Sequence, residues 1–467
     1  MINGYGARSG LLLRAGVVLM AAAFAAAGCS GSAATPSAAQ PSAAAPASAA
    51  ASASSAAASA SAAAPSGAAP SASAEAITLH VLLMKQAAYS DTDVAAMTAA
   101  FNKDHPNVTI VPEFVAYDAL HDKIVTAQVG GGGVYDLILV DTPWPAEMVK
   151  AGIITDITDK IPAEFSSGVF DAAWTAAKYN GKIYGVPWIN DTKFFFYNEK
   201  LLTNAGITAA PKTWDEVEAA AKAVKAKGEV KYPIIASWKQ AEAVICEWTQ
   251  IAAAMGGSEF VDAQGKPLFN QGGGLAALKF MKKLIDEGLV DPASLSSTED
   301  DVNTAMSTGQ YAMTLNWTYG LNVMNDAKSS KVPGQIKVAP SPGEGSVVTS
   351  GVNGGMSLAV TATSKHPAEA LEYALFLASE KSQEMDVANA LPMWKASFDN
   401  ADVTKNNPTL FAAAKIQFTG LVARPVVPYY TKLSNALQAA IQETLLGKKT
   451  PEQALNDVAA QLPSFQQ

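Results

Sequence analysis

The chain of 467 residues is 49% hydrophobic and carries a formal charge of −9, from 33 basic and 42 acidic residues. This hydrophobic content excludes a wholly disordered chain, and the acidic balance argues against a nucleic-acid partner. Beyond residue 28, no apolar run reaches the roughly 18 residues that a membrane-spanning helix needs.

The N-terminal sequence predicts export. Arg8 and Arg14 accompany an apolar stretch at 11–27, which ends in small residues before Cys29. This pattern is typical of a secretory signal peptide over residues 1–28. A cleavage site directly before a cysteine resembles the bacterial lipoprotein signal, which would lipidate Cys29 and anchor the protein at the outer face of the cytoplasmic membrane. An ordinary signal peptide with an incidental cysteine is the alternative.

A low-complexity tract follows Cys29. Residues 30–74 are dominated by Ala, Ser and Pro and contain no charged residue. Such a segment cannot bury enough apolar surface to offset its ordering entropy, so it predicts a disordered tether over residues 29–75. As a flexible coil it would span roughly 35–40 Å. Globular patterning begins only after this tether.

Strands and helices alternate at the start of the globular part. Apolar, β-branched runs predict strands at 77–84, 108–115 and 137–140, and helical periodicity predicts helices at 91–103 and 117–129. This order favours an α/β fold with a mostly parallel sheet.

The remaining chain continues the mixed pattern and becomes helical towards its end. Asn180-Gly181 predicts a hairpin turn. The loops at 188–193 and 346–355 interrupt the pattern, and we interpret them as crossings between two lobes. Further strands are predicted at 194–197, 232–236, 311–316 and 356–361, and further helices at 214–227, 241–255, 275–287, 367–379, 429–446 and from 451 onwards.

Enzymatic signatures are absent from the sequence. It contains no nucleophile elbow, zinc-protease motif or phosphate-binding loop, and its four histidines show no metal-ligand spacing. We therefore expect no enzyme, no metal and no cofactor, although a glycosidase-like acid pair could hide among 42 acidic residues. Cys246 lies in an apolar run, which favours a buried, inert thiol.

Aromatic and polar residues cluster at the predicted strand ends. Ligands of open α/β sheets bind beyond the carboxyl ends of the strands. Indole rings pack on the apolar faces of a sugar, while carboxylates, amides and guanidinium groups satisfy its hydroxyls. The clusters therefore predict a sugar site, although each tryptophan alone could equally belong to the core. The candidates are Asp141, Trp144, Trp188, Asp191, Trp238, Gln240, Trp317 and Tyr319.

The order and spacing of five stretches resemble those of the extracellular solute-binding proteins of ATP-binding-cassette sugar importers, in particular the maltose/trehalose-type group. The resemblance covers nearly all of residues 77–462. The stretches are Tyr135-Asp136-Leu137 with Asp141 and Trp144; Tyr184-Gly185-Val186-Pro187-Trp188 through Asp191 to Leu201; Gly309-Gln310-Tyr311 with Asn316-Trp317; Gly354-Gly355-Met356-Ser357 through Pro367; and Arg424-Pro425 through Leu455.

The resemblance implies a periplasmic-binding-protein-like fold of type II. Each lobe would be a mostly parallel sheet flanked by helices, and crossover hinge segments would join the lobes. Lobe I would comprise residues 76–190 plus 350–390, and lobe II residues 191–349 plus 391–467.

The resemblance also implies roles for individual residues. Trp317 would be the main stacking platform, Asp141 and Asp191 the hydroxyl-binding carboxylates, and Arg424 a donor from the C-terminal region. At Gly355-Met356, relatives often carry Gly-Trp, which bears on the choice of sugar. Additional candidates are Glu242, near Trp238, and two weaker ones, Gln86 and Glu113.

The sequence thus predicts a monomeric, non-enzymatic receptor that captures an oligosaccharide, such as a disaccharide or short glucan, between two lobes and delivers it to a membrane permease. The same fold could instead bind a polyol, a glycerol-phosphodiester or a polyamine. An anchored glycan hydrolase and a structural adhesin are further alternatives from other functional classes.

Overall fold

The computed structural model describes residues 75–85, 88–257, 259–405 and 407–467. The predicted signal peptide, Cys29, the tether up to residue 74 and Gln86 lie outside the described residues. In the described part, no helix is both long enough and apolar enough to cross a membrane.

Strands and helices alternate through the first half of the described chain, and helices dominate its end. The strands are β1 (Ile77–Met84), β2 (Val108–Val115), β3 (Leu137–Asp141), β4 (Lys178–Tyr179), β5 (Lys182–Ile183), β6 (Val186–Ile189), β7 (Phe194–Asn198), β8 (Met313–Asn316), β9 (Ile336–Ala339), β10 (Pro342–Glu344), β11 (Val347–Thr349), β12 (Gly351–Val352), β13 (Met356–Val360) and β14 (Leu421–Val422).

The helices are α1 (Asp91–Phe101), α2 (Tyr117–Val129), α3 (Pro145–Lys150), α4 (Ala163–Gly168), α5 (Glu199–Asn204), α6 (Trp214–Lys227), α7 (Glu242–Ala254), α8 (Gly272–Asp286), α9 (Glu299–Ser307), α10 (Gly320–Asn325), α11 (Pro367–Leu377), α12 (Glu380–Gln383), α13 (Ala401–Thr404), α14 (Pro408–Gln417), α15 (Tyr430–Leu445) and α16 (Pro451–Phe465). Capping residues in the sequence explain where several of these helices begin and end. For example, the Thr213 hydroxyl accepts from Glu216 N at the start of α6, and Gly228 ends that helix with a φ of 73°.

The first sheet has the predicted, mostly parallel arrangement. Among the described residues it contains five strands in the order β2-β1-β3-β13-β6. β1 pairs in parallel with β2 and β3, whereas β13 runs against both of its neighbours, β3 and β6. Leu137–Asp141 is buried along its whole length, as expected for a central strand covered on both faces.

The second sheet departs from the prediction of parallel pairing. Its described strands have the order β8-β7-β9, and β7 pairs antiparallel with both neighbours. The physical reason is that β7 comes directly from the first sheet, through residues 190–193, and enters the second sheet in the direction opposite to β8 and β9. β8 and β9 share one direction, and parallel bridges from Ile234 to Met313 and Val290 extend the sheet. The side chains of β7 alternate between two apolar clusters, so both faces are covered.

The strand predicted at 232–236 is wrong. Only Ile234 makes isolated bridges there. The preceding residue, Pro233, has no N–H to donate to a ladder, although its carbonyl accepts from Ala312 N and Met313 N. The chain therefore touches the sheet at one point instead of forming a strand.

Three apolar clusters organise the described residues. The first surrounds the first sheet and draws on residues 79–189, 356–394 and Tyr430. The second packs α6, α7, α8, α15 and α16 on one face of the second sheet, and the third packs α9, α10 and α14 on its other face. Met393 and Trp394 belong to the first cluster. The lobe boundaries given above stay a prediction.

Three chain segments run side by side between the sheets. Residues 190–193 lead from β6 to β7, and Thr192 bridges Asn353 in the segment that enters β13. Next to this, β12 pairs with β14, which precedes Arg424. We call these three stretches, 190–193, 351–355 and 421–424, the joining segments.

Buried Gln250 of α7 ties two of the joining segments together. Its Nε2 donates to the Lys193 carbonyl at 3.0 Å, and its Oε1 accepts from Val352 N at 3.2 Å. Since backbone groups buried without partners are costly, this side chain holds the segments in register.

We expect Gln250→Ala to lower the free energy of unfolding by about 2 kcal/mol, because the buried Val352 N loses its partner and the Lys193 carbonyl keeps only its bond from Gln417. Urea denaturation followed by circular dichroism measures this. Gln461→Ala is the matched control, since Gln461 is exposed and bonds only within its own helix. Equal stabilities of the two variants would contradict the role assigned to Gln250.

Candidate functional site

A cavity of about 580 Å³ lies where the ends of the two sheets face each other. Met84 ends β1, Asp141 ends β3, Met356 begins β13 and Trp317 follows β8, so strand ends from both sheets contribute. Of the described residues that line it, six are carboxylates and three are basic: Asp118, Asp141, Asp191, Glu242, Glu299, Asp300, Lys85, Lys239 and Arg424. Its volume is in the range of small-molecule sites.

Trp317 is the tryptophan that this cavity exposes. The other seven of the eight tryptophans are each 7% exposed or less, whereas Trp317 is partly exposed on the cavity wall. Its Nε1 donates to Glu299 Oε1 at 3.2 Å. An indole face that is held in place and open to a cavity can stack on the apolar face of a ligand.

Arg424 forms a buried ion triad with Asp141 and Glu242. Its Nη2 lies 2.9 Å from Asp141 Oδ1 and its Nη1 lies 2.8 Å from Glu242 Oε1, while the arginine is only 2% exposed. Burial alone would lower the pKa of Arg424, but Asp141 and its other neighbours raise it further above its usual range. The guanidinium therefore stays charged and joins the end of β3 to the start of α7.

One side-chain nitrogen of Arg424 is buried without a hydrogen bond in the described part of the chain. Its Nε has no hydrogen-bond partner among the described residues, and the arginine lines the cavity. Glu242, by contrast, also accepts from the hydroxyls of Tyr430 and Ser434 on α15. The triad is thus nearly saturated from within the protein.

Asp141 is more committed to the protein than the sequence suggests. Besides Arg424, its Oδ1 accepts from Thr142 N at 2.7 Å, and its Oδ2 accepts from the Tyr117 hydroxyl at 2.6 Å. Its exposed fraction is 1%. Asp141 therefore orients Arg424 and Tyr117 as well as lining the cavity.

Asp191 faces the cavity from the first joining segment. Its Oδ1 accepts from Thr192 N at 2.8 Å and from the backbone N and hydroxyl of Thr318. Burial raises the pKa of Asp191 to about 6, and the bonds from Thr318 and Thr192 only partly oppose this effect. A ligand hydroxyl that donated to this carboxylate would favour its charged form.

Lys193 is a second buried cation, directly beside the cavity wall. Its Nζ lies 3.1 Å from Glu247 Oε1 and 3.3 Å from Glu299 Oε1, and it donates to Ser237 Oγ at 2.8 Å. The side chain is completely buried. Burial alone would lower the pKa of Lys193, but Glu247 and Glu299 raise it, so the amine is charged.

The structure brings seven of the residues predicted from sequence to the cavity. Met356 lies there with an exposed fraction of 6%, and Tyr319 donates to Asp300 Oδ1 at 3.1 Å. The seven are Asp141, Asp191, Glu242, Trp317, Tyr319, Met356 and Arg424.

Three predicted tryptophans are core residues instead. Trp144 stacks on Tyr117 behind the wall, with ring centroids 5.8 Å apart, and Trp188 stacks on Tyr89 at 4.9 Å. Trp238 donates its Nε1 to Glu247 at 2.8 Å. Trp144 follows β3 and Trp188 lies near the end of β6, whereas the strand predicted before Trp238 does not form. All three side chains point into the apolar interior, so their assignment to the cavity is corrected.

Other predicted residues also lie away from the cavity. Gln240 is exposed outside it, and Gly355 is buried, with its carbonyl accepting from the Thr142 hydroxyl. Glu113 pairs with Lys123 at 2.6 Å and accepts from Tyr135, away from the cavity. Cys246 lines the cavity but is 3% exposed, and burial raises the pKa of its thiol to about 12, as expected for an inert thiol.

The sequence prediction missed several lining residues. Tyr117 and Asp118 follow β2, so the criterion of polar residues at strand ends would have found them. Glu299 and Asp300 begin α9 behind the capping residue Thr298, where acidic residues are common for helix-dipole reasons alone. Because helix capping alone accounts for these two acidic residues, the sequence did not indicate that they also line the cavity.

A model of bacterial extracellular solute-binding proteins matches residues 87–384 of the chain. The chain therefore belongs to the family of bacterial extracellular solute-binding proteins, which are exported binding proteins. The family resemblance seen in the sequence is confirmed.

One curated relative is a protein of Deinococcus radiodurans named as a probable ABC transporter-binding protein. It is 28% identical over 337 residues, which are 70% of this chain and 79% of the relative.

Solved structures of sugar- and polyol-bound proteins share the fold. Maltose-bound MalE3 of T. maritima superposes with a TM-score of 0.77 at 23% identity, covering 84% of this chain and all of that chain. An ABC transporter solute-binding protein of Agrobacterium radiobacter in complex with ribitol gives 0.73 at 23% identity, covering 84% and 99%. These likenesses confirm the predicted type II binding-protein fold.

We expect Arg424→Met to lower the free energy of unfolding by about 3–5 kcal/mol, because Asp141 and Glu242 would lose their shared cation in a buried site. Guanidinium denaturation measures this. Lys415→Met is the control, since the exposed pair between Lys415 and Asp399 should contribute at most about 1 kcal/mol. A loss below about 1 kcal/mol for Arg424→Met would show that the triad is dispensable.

Proposed function

We propose that this protein is the solute receptor of an ABC importer and that it captures an oligosaccharide, such as a disaccharide or short glucan. The observation that carries this proposal is the exposed face of Trp317 on a wall rich in carboxylates, inside a cavity between the two sheets. The ligand would bridge groups from both sheets and favour the closed arrangement of the lobes. The loaded protein would then deliver its cargo to a membrane permease.

The pairing of most charged groups on the cavity wall with other groups of the protein supports a neutral, hydroxyl-rich ligand. Arg424 is held by two carboxylates, Lys239 lies 3.6 Å from Asp118, and Lys193 neutralises Glu299 from behind. Asp191 lines the cavity and remains as an acceptor for ligand hydroxyls. The relatives solved with maltose and ribitol fit this chemistry.

A polyol is the second candidate, because one structural relative holds ribitol. A glycerol-phosphodiester fits less well, since Arg424 is the only arginine after residue 28 of the sequence and is already paired twice. A polyamine would have to stack on Trp317 against the charge of Lys193. We do not propose hydrolysis, because the family consists of binding proteins.

Anchoring at Cys29 and a monomeric state complete the proposal. A lipid at Cys29 with the tether that follows would keep the receptor near its permease and raise the effective concentration of loaded protein there.

We expect titration with a panel of neutral mono-, di- and trisaccharides and polyols to identify a ligand by calorimetry. Trp317→Ala should then weaken its affinity at least about tenfold, because the stacking face is lost, whereas Trp317→Phe should retain part of it. Trp394→Phe, a substitution in the first apolar cluster, is the control. The sugar assignment fails if no carbohydrate or polyol binds the wild-type protein.

We expect affinity for the same ligand to fall as the pH drops from about 7.5 to about 5. A hydroxyl that donates to Asp191 lowers the pKa of this carboxyl in the complex, so binding releases a proton once the free carboxyl, with its pKa of about 6, is protonated. Calorimetry at several pH values measures this.

Asp191→Asn should bind more weakly at neutral pH and lose most of this pH dependence. It also separates the effect of Asp191 from that of His121. Burial lowers the pKa of His121, but its contact with Glu147 raises this pKa above its usual value overall. An unchanged slope in the Asp191→Asn variant would show that another group is responsible.

A further inference from the structure

The ring of Trp317 rests on groups that the sequence did not single out. Three of them contact it: Lys193 and Gly354, on two of the joining segments, and Glu299, at the start of α9. Each contacts a different part of the indole.

Lys193 supports the ring from behind. Its Nζ lies over the Trp317 ring, 5.3 Å from the centroid. Trp317 lines the cavity, whereas Lys193 does not and is completely buried. A desolvated ammonium over an indole face is attracted by the electrons of the ring. Lys193 therefore holds the indole without reaching the ligand.

Glu299 couples the lysine to the edge of the ring. Its Oε1 accepts from Trp317 Nε1 at 3.2 Å and lies 3.3 Å from Lys193 Nζ. On the other side of the lysine, Glu247 lies 3.1 Å from the same nitrogen. The ammonium is thus pinned between two carboxylates, and one of them also orients the indole.

Gly354 packs directly against the Trp317 ring and leaves no room for a side chain at its own position. A Cβ at this position would lie 2.3 Å from Cζ3 and 2.8 Å from Cη2 of Trp317, which no real Cβ tolerates. Gly354 N also donates to the Asp191 carbonyl at 3.0 Å. The ring therefore fills the space that the missing side chain leaves, directly beside the first joining segment.

We propose that Lys193 is the positioning residue of the stacking surface and that, with Glu299 and Gly354, it fixes the Trp317 ring to the segments that join the sheets. This inference rests on the proposed function only in taking Trp317 as the ligand platform. Because two of the three supporting residues, Lys193 and Gly354, belong to the joining segments, we expect the ring to move with these segments when the sheets move. The fixed charge behind the ring disfavours a cation on its open face and makes Lys193 a determinant of selectivity for neutral ligands.

The test reads the environment of Trp317 directly and needs no ligand. The protein is labelled with 5-fluorotryptophan, and the ¹⁹F resonance of Trp317 is assigned through Trp317→Phe. We expect Lys193→Met to shift or broaden this resonance, together with that of Trp238, which Glu247 contacts. The remaining six tryptophan resonances should stay in place.

Leu437→Ala is the control for a general loss of stability, since it truncates a completely buried side chain of the second apolar cluster. It should lower the unfolding midpoint without moving the Trp317 resonance. An unmoved Trp317 resonance in Lys193→Met, or an equal shift in Leu437→Ala, overturns the proposal.

Gly354→Ala keeps the test decisive if Lys193→Met does not fold. It should move the Trp317 resonance, whereas Gly130→Ala, whose Cβ would meet its nearest neighbour at an ordinary 3.4 Å, should not. An unmoved resonance in Gly354→Ala also overturns the proposal. If the resonances move but no carbohydrate or polyol binds, the sugar assignment fails while the positioning role stands.

Discussion

Two buried cations constrain the region between the sheets. Arg424 and Lys193 lie on different joining segments, and each is neutralised by carboxylates from other elements: Asp141 and Glu242 for the arginine, Glu247 and Glu299 for the lysine. An ammonium or guanidinium without a partner in such a place costs several kcal/mol. The joining segments are therefore held in positions that keep both cations paired. Since several of the paired residues also line the cavity, the same ion pairs fix the positions of the wall residues.

The same pairing determines what the cavity can recognise. Carboxylates that already serve a cation of the protein have less capacity for a charged ligand, but they still accept hydrogen bonds. The ring of Trp317 is engaged on one face by Lys193 and open on the other. Recognition would then rest on an apolar stacking face and on single donors and acceptors, which is the chemistry of a neutral polyhydroxyl compound.

How far the sequence predicted the structure differs from residue to residue. Alternation of strands and helices gave the first sheet, and polar residues at strand ends identified Trp317 and Asp191. The same criterion wrongly selected Trp188, because a position at a strand end does not tell which way the side chain points. Lys193 was missed because an isolated lysine is usually a surface residue, and its burial depends on acidic residues far along the chain.

The ion triad also limits how the sheets can separate. Any opening that parts Asp141 from Glu242 leaves Arg424 with one carboxylate, so water must enter to solvate the other. A ligand in the cavity excludes that water and thereby favours the paired arrangement, even where it does not touch the triad. We therefore expect part of the ligand's effect on closure to come from keeping the triad dry and only part from direct contacts.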